Sequence, residues 1–166
     1  MTAGIKMETR FGDPSKPNPG LLGKLVTAGK RAMTGESMFV TTFTQTGKGR
    51  GQVAFAAPYP GKILAIDLDQ LGGEMICQKQ SFICAARGIE IGVAFQKKIG
   101  VGLFGGEGFV MQRLTGDGVA MIHAGGTLMR RELGEDETLK LDTGCLVALQ
   151  PSVTYDIQFV GGIKNT

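Results

Sequence analysis

The 166-residue chain has few of the residues from which catalytic and metal centres are usually built. It has one histidine, three cysteines and no tryptophan. A metal centre of the kind that β-helix folds carry needs two or three histidines beside a carboxylate, so His123 alone cannot form one. We read His123 as a strand-end or partly buried residue. We expect no enzymatic activity, no metal and no cofactor.

The three cysteines, Cys77, Cys84 and Cys145, each lie in an apolar or strand-like run. An odd number without a close C-x-x-C spacing argues against both a disulfide framework and a zinc site. Nucleophilic catalysis by a cysteine with His123 would need an orienting acid or a glycine elbow, and neither stands out. We predict that all three are buried, reduced thiols.

Long apolar runs and strong charge are also lacking. No stretch approaches the roughly 20 apolar residues that span a bilayer, and the opening residues do not have the pattern of a secretory signal. The net charge of +3 is too small to imply a nucleic-acid partner. Basic residues form only small clusters, such as Lys97-Lys98 and Arg130-Arg131. We expect a cytoplasmic protein, peripheral to a membrane at most.

Glycine is the residue in excess. The chain has 27 glycines, about twice ordinary usage, and they stand in turns between apolar runs. Many tight turns favour an all-β fold, and residues 153–159 alternate apolar and polar side chains as a half-buried strand does. Strands are predicted at 37–44, 52–57, 62–67, 74–78, 81–86, 89–95, 108–114, 118–123, 127–132, 138–142 and 153–159. Apolar residues at helical spacing predict one short helix near residues 20–34.

Residues 100–105 match the G-x-G-x-x-G pattern of dinucleotide-binding turns. Such a site needs a helix directly after the turn, because the helix N-terminus holds the pyrophosphate. Strand-like residues follow instead, and Glu107 would repel a phosphate. We interpret this stretch as a junction between repeats.

The chain also resembles itself. Residues 105–121 echo residues 34–43 and 53–55, while 60–68, 73–76, 82–86 and 91–95 echo 125–133, 136–139, 145–149 and 155–159. The shared positions are apolar residues and glycines, so the repeat is architectural. We predict the end of a truncated first repeat with an inserted loop and helix at 1–33, and a second repeat at 34–98. A third repeat and the start of a further block occupy 99–166; a trimmed chain, a fragment and a short gene all fit this division.

Several motifs resemble one known family. They are residues 4–13 (GIKMETRFGD), 34–37 (TGES), 55–61 (FAAPYPG), 104–108 (FGGEG) and 155–164 (YDIQFVGGIK). In this order they are similar to the mitochondrial-biogenesis family called "altered inheritance of mitochondria, number twenty-four". The resemblance implies a double-stranded β-helix-like barrel of pseudo-repeats, akin to the tryptophan RNA-binding attenuation protein and often trimeric. It supplies no catalytic residues, and its mitochondrial members are associated with inner-membrane organisation.

Incomplete repeats leave strand edges and apolar faces that proteins normally cover, so we expect a homo-oligomer, most simply a trimer. The favoured function is a non-enzymatic scaffold or interaction protein that binds another protein or a membrane face. The alternative is a single-stranded RNA binder, suggested by the fold analogy and by the basic residues Lys97, Lys98, Arg113 and Arg130. RNA readers pair a basic groove with exposed stacking aromatics, which are scarce here, so we expect no RNA binding tighter than a weak electrostatic association that moderate salt abolishes.

The candidate interaction surface combines basic residues with the apolar turn at a repeat junction. Its members are Lys97, Lys98, Leu103, Phe104, Arg113 and Arg130. Leu103 and Phe104 have two interpretations, a core plug at the junction, which we favour, and a contact with a partner subunit or a membrane.

Overall fold

A computed structural model describes residues 1–11, 39–97 and 109–158. Within these ranges the chain forms nine β-strands and three single-turn 3₁₀ helices, so the predicted all-β class is confirmed. The strands are β1 Ile5–Phe11, β2 Phe39–Gln45, β3 Gly61–Asp67, β4 Glu74–Gln78, β5 Phe82–Ala85, β6 Glu90–Lys97, β7 Phe109–Thr115, β8 Val119–Gly125 and β9 Ala148–Leu149. The 3₁₀ helices are Asp69–Leu71, Lys79–Ser81 and Thr143–Cys145. The helix predicted near 20–34 and the glycine-rich turn at 100–105 lie outside the described residues.

The strands form three antiparallel sheets. Their strand orders are β1-β2, β3-β8-β5 and β6-β7-β4-β9. None of the three closes into a barrel over the described ranges, so the barrel remains a prediction.

The consecutive strands β7 and β8 enter two different sheets. β7 lies between β6 and β4, whereas β8 lies between β3 and β5. The turn that separates them contains Gly116, whose φ is +137°, a conformation that side-chain-bearing residues rarely adopt. A Cβ at Gly116 would also stand 2.5 Å from the carbonyl oxygen of Gly88. This position therefore requires glycine, and the turn directs the chain from one sheet into the other.

The main core lies between the three-stranded and four-stranded sheets. Its members are apolar and almost fully buried: Leu68, Met75, Cys77, Ile89, Leu114, Ala120 and Ile122. In β8 the buried Ala120 and Ile122 are two residues apart, as expected for the inner face of a strand. Burying one leucine or isoleucine side chain stabilises the fold by about 1.5–3 kcal/mol, so this cluster holds the two sheets together.

A second core covers the other face of the four-stranded sheet. It consists of Ile76, Phe109, Met111 and Ile157, with Tyr155 and Phe95 packed at its edge. Neighbouring residues of β4 point into different cores, because successive strand side chains alternate between faces. The four-stranded sheet is therefore buried on both sides, and β4 belongs to both cores.

Four segments predicted as strands belong to no sheet in the structure. They are 52–57, 127–132, 138–142 and the described part of 153–159. In the last of these the predicted alternation still holds, since Tyr155 and Ile157 turn inward while Thr154 is exposed. Alternation reports which side chains face the core, whereas a strand also needs a backbone partner. Conversely, β1 was not predicted as a strand.

Candidate interaction surface

Residues 127–142, which we call the arm, form two legs joined by a turn. Asp136 has a φ of +62° in this turn, an allowed but uncommon conformation for a residue other than glycine. Across it, Nη2 of Arg131 donates to Oε1 of Glu137 over 2.8 Å, and the backbone N–H of Gly134 donates to Oε2 over 2.9 Å. Both hydrogen bonds lower the pKa of Glu137, the one from Arg131 more strongly. The turn is thus fixed by a charged carboxylate.

The arm exposes large apolar side chains. Met129 is 88% exposed, Leu139 47% and Leu141 45%. Single exposed apolar residues are normal, and three of them within residues 127–142 make the arm a candidate contact surface. Sequence reasoning did not single out the arm.

Arg113 lies on β7 at the edge of the second core. Its guanidinium forms an ion pair with Glu74 on the neighbouring strand β4. Burial raises the pKa of Tyr155, and the positive charge of Arg113 partly opposes that rise. Tyr155 in turn packs edge-to-face on Phe95, with ring centroids 5.5 Å apart. Arg113 is therefore held by its strand neighbours, and its charge is compensated.

The six residues of the candidate surface do not lie in one element, and three of them lie outside the described residues. Arg130 lies in the arm and forms a 3.5 Å ion pair with Glu132. Lys97 ends β6 opposite Phe109 in the register. Lys98, Leu103 and Phe104 lie outside the described residues. Both arginines whose side chains are described face a carboxylate, and the combined surface remains a prediction.

His123 is buried in β8, with 9% of its surface exposed. A Cβ on Gly61, in the neighbouring strand β3, would stand 2.4 Å from its Nε2 atom, so the imidazole packs against the Gly61 backbone. Nε2 has no hydrogen-bond partner among the described residues. His123 lies in a strand as predicted and is more deeply buried than predicted, and Gly61 leaves the space in which its ring sits.

The cysteines differ from one another. Cys77 is fully buried, and burial raises the pKa of its thiol to about 12, so it is protonated at neutral pH. Cys84 is half-buried, and burial raises its pKa as well. Cys145 is exposed, so the prediction of burial was wrong for this residue. It ends the 3₁₀ helix Thr143–Cys145, a surface turn whose start is capped by the Asp142 carboxylate.

Within residues 1–11, 39–97 and 109–158, no group of three or more His, Cys, Asp or Glu side chains is arranged to hold a metal ion. No helix in those ranges has the length and apolar character needed to cross a bilayer.

These features define the class: an all-β protein of antiparallel sheets that carries an exposed, partly apolar arm. The sequence matches the family described as "Mitochondrial biogenesis AIM24" over residues 1–166, and the chain belongs to that family. It is also similar to an uncharacterized protein of Streptococcus pyogenes serotype M6 (strain ATCC BAA-946 / MGAS10394), with 32% identity over 147 residues. That similarity covers 87% of this chain and 57% of the relative, so the chain spans little more than half of the relative's length. The family resemblance inferred from the motifs is confirmed.

Proposed function

We propose that this protein is a non-enzymatic β scaffold that forms a homo-oligomer, most simply a trimer, and binds another protein or a membrane face. The observation that supports the proposal is the exposure of three large apolar side chains within the arm, Met129, Leu139 and Leu141. Apolar area removed from water stabilises a contact by roughly 25 cal/mol per Å², so covering these side chains favours association. Self-association is the simplest way to cover a surface that every copy carries.

The RNA-binding alternative has weaker support. Tyr59, 74% exposed, is available for base stacking, but Tyr155 is engaged with Phe95. Arg113 and Arg130 each contact a carboxylate, so they offer little uncompensated charge to a phosphate backbone. We therefore expect only weak electrostatic association with single-stranded RNA, which moderate salt abolishes.

The proposal is tested first by the oligomeric state. Light scattering after size-exclusion chromatography of micromolar protein should return three times the chain mass. The double variant Met129→Ser, Leu141→Ser removes two exposed apolar side chains of the arm and should shift the distribution toward monomer. Tyr59→Ser, a change at a residue outside the arm that is 74% exposed, is the control and should leave the distribution unchanged. A monodisperse wild-type monomer would contradict the proposal.

The binding partner is tested separately. Flotation with vesicles of phosphatidylcholine and phosphatidylglycerol reports binding to a membrane face. Fluorescence anisotropy with a labelled single-stranded oligouridine reports RNA binding. Tight RNA binding that survives high salt would replace the scaffold function with the RNA-binding one.

A further inference from the structure

The arm contains a segment that corresponds in sequence to the central strand β4. The internal repeat aligns Glu74 and Ile76 of β4 with Glu137 and Leu139 of the arm. Ile76 is 3% exposed in the second core, whereas Leu139 is 47% exposed and its segment joins no sheet. Corresponding positions of the repeat are thus buried in β4 and exposed in the arm.

The internal repeat also indicates a partner strand for this segment, and that strand is β2. The repeat aligns β2 with β7, and both strands pair antiparallel with the strand that precedes them in the chain, β1 and β6 respectively. The second edge of β7 is occupied by β4. The second edge of β2 has no partner strand among the described residues. Open edges of this kind are sites where another strand adds.

From the unpaired segment of the arm and the open edge of β2, we propose that residues 137–141 of one copy add as a strand to the open edge of β2 in a second copy. This inference rests on the homo-oligomer of the proposed function and specifies its contact. The pairing of β4 with β7 gives the expected register. Ile76 lies opposite Arg113 there, and the repeat converts this pair into Leu139 opposite Thr42.

The contact is directional, because the donor and the acceptor are different parts of the chain. Each copy offers one arm and one open β2 edge, so successive copies join head to tail. Heterologous contacts of this kind generate closed rings when the rotation between copies allows it, and a three-membered ring is the simplest form compatible with a trimer. Addition of the strand would cover Leu139 and satisfy backbone groups on both segments.

Disulfide trapping between separate chains tests the register. Thr42→Cys and Leu139→Cys are introduced into different chains, with Cys84→Ser and Cys145→Ser in both to remove the accessible thiols. When the two purified proteins are mixed and oxidised with copper phenanthroline, we expect a covalent dimer in high yield. Directly opposed strand residues lie about 4.5–5.5 Å apart between Cα atoms, within the range that a disulfide bridges.

The matched control moves the thiol by one residue. Thr41 lies next to Thr42, but its hydroxyl is 3.2 Å from that of Thr9 on β1, and its side chain points to the opposite face of the ribbon. Thr41→Cys mixed with Leu139→Cys should give at least tenfold less dimer. Equal yields from Thr41→Cys and Thr42→Cys would overturn the proposed register.

Light scattering on the unoxidised mixtures separates the two proposals. Oligomers that do not cross-link through Thr42 and Leu139 would overturn this contact while leaving the scaffold function in place. Monomers would contradict both. A chain carrying both cysteines that cross-links only within itself would show that the arm closes on its own β2, and would overturn pairing between copies.

Discussion

Replacing Gly61 with alanine should destabilise the three-stranded sheet, because the new methyl group has no space. The Cβ would stand 2.2 Å from the carbonyl oxygen of Ala124 and 2.4 Å from Nε2 of His123. The first of these is a backbone atom of the paired strand β8, so it cannot rotate away. Relief requires the start of β3 to move by roughly 1 Å, which strains or breaks the last rungs of its pairing with β8.

The expected loss of stability has two sources, the overpacked contact and the weakened backbone hydrogen bonds. Overpacking a fitted site costs about 1–3 kcal/mol, and each backbone hydrogen bond that is weakened contributes about 1 kcal/mol. We expect Gly61→Ala to lower the free energy of unfolding by about 2–4 kcal/mol. For a chain of this length that corresponds to a decrease in Tm of roughly 5–15 °C. Urea denaturation followed by circular dichroism measures the first quantity, and calorimetry the second.

The chain supplies a matched control directly across the ladder. Gly125 is the register partner of Gly61, yet a Cβ there would meet nothing within 4 Å. Gly125→Ala should therefore change stability by no more than about 0.5 kcal/mol. Adding His123→Ala to Gly61→Ala removes the imidazole contact but leaves the carbonyl, so it should not restore wild-type stability. If both glycine variants are as stable as the wild type, the packing described for β3 against β8 is wrong.

Three further predictions concern the core and the arm. Leu114→Ala, at a fully buried position, should cost about 2–5 kcal/mol in urea denaturation, whereas Val119→Ala, at a position 36% exposed, should cost less than about 1 kcal/mol. Because the pKa of Cys77 is raised by burial to about 12, the unfolded chain loses this proton first as pH rises above about 8.5. Stability should then fall by up to about 1.4 kcal/mol per pH unit toward pH 12, and Cys77→Ala should show a shallower slope in denaturation curves across that window. The pKa of Glu137 is lowered by its hydrogen bonds, so the stability that these bonds contribute is complete above the ordinary glutamate pKa and is lost as pH falls through the lowered value. Arg131→Gln should raise the pKa of the Glu137 carboxyl toward its ordinary value, and an NMR titration of that carboxyl measures the change.

The strands β2 to β8 could be predicted within a few residues because two signals agree there. Each segment is a short apolar run or an alternation of apolar and polar residues, and glycine, proline or aspartate marks many of the turns between them. The turn at Gly116 and the buried face of β8 are examples. β1 carried the same signal, since Ile5, Met7 and Thr9 alternate with charged residues. It was missed because its partner β2 is distant in the sequence and no tight turn links the two strands.

The surface residues were harder to predict than the strands, because local patterns do not specify their contacts or their exposure. The ion pair between Arg113 and Glu74 depends on the register of β4 against β7, and no local pattern specifies a register between strands so far apart. Leu139 lies in an alternating segment, but alternation does not reveal whether a partner strand exists. Cys145 has apolar neighbours and still faces water, because it ends a surface turn.

The position of β4 at the centre of the four-stranded sheet has a consequence for the order in which the chain folds. One edge of β4 pairs with β7, and the other pairs Ile76 with Leu149. Neither pairing is available until a long stretch of later sequence has been synthesised, and such non-local contacts slow folding because the intervening loop must close first. During translation the apolar residues of β4 therefore stay exposed to water until its partner strands have been synthesised. β7, by contrast, can pair with β6 as soon as β7 itself has been synthesised. Completion of this sheet, rather than formation of any single hairpin, should limit the rate at which the native structure appears.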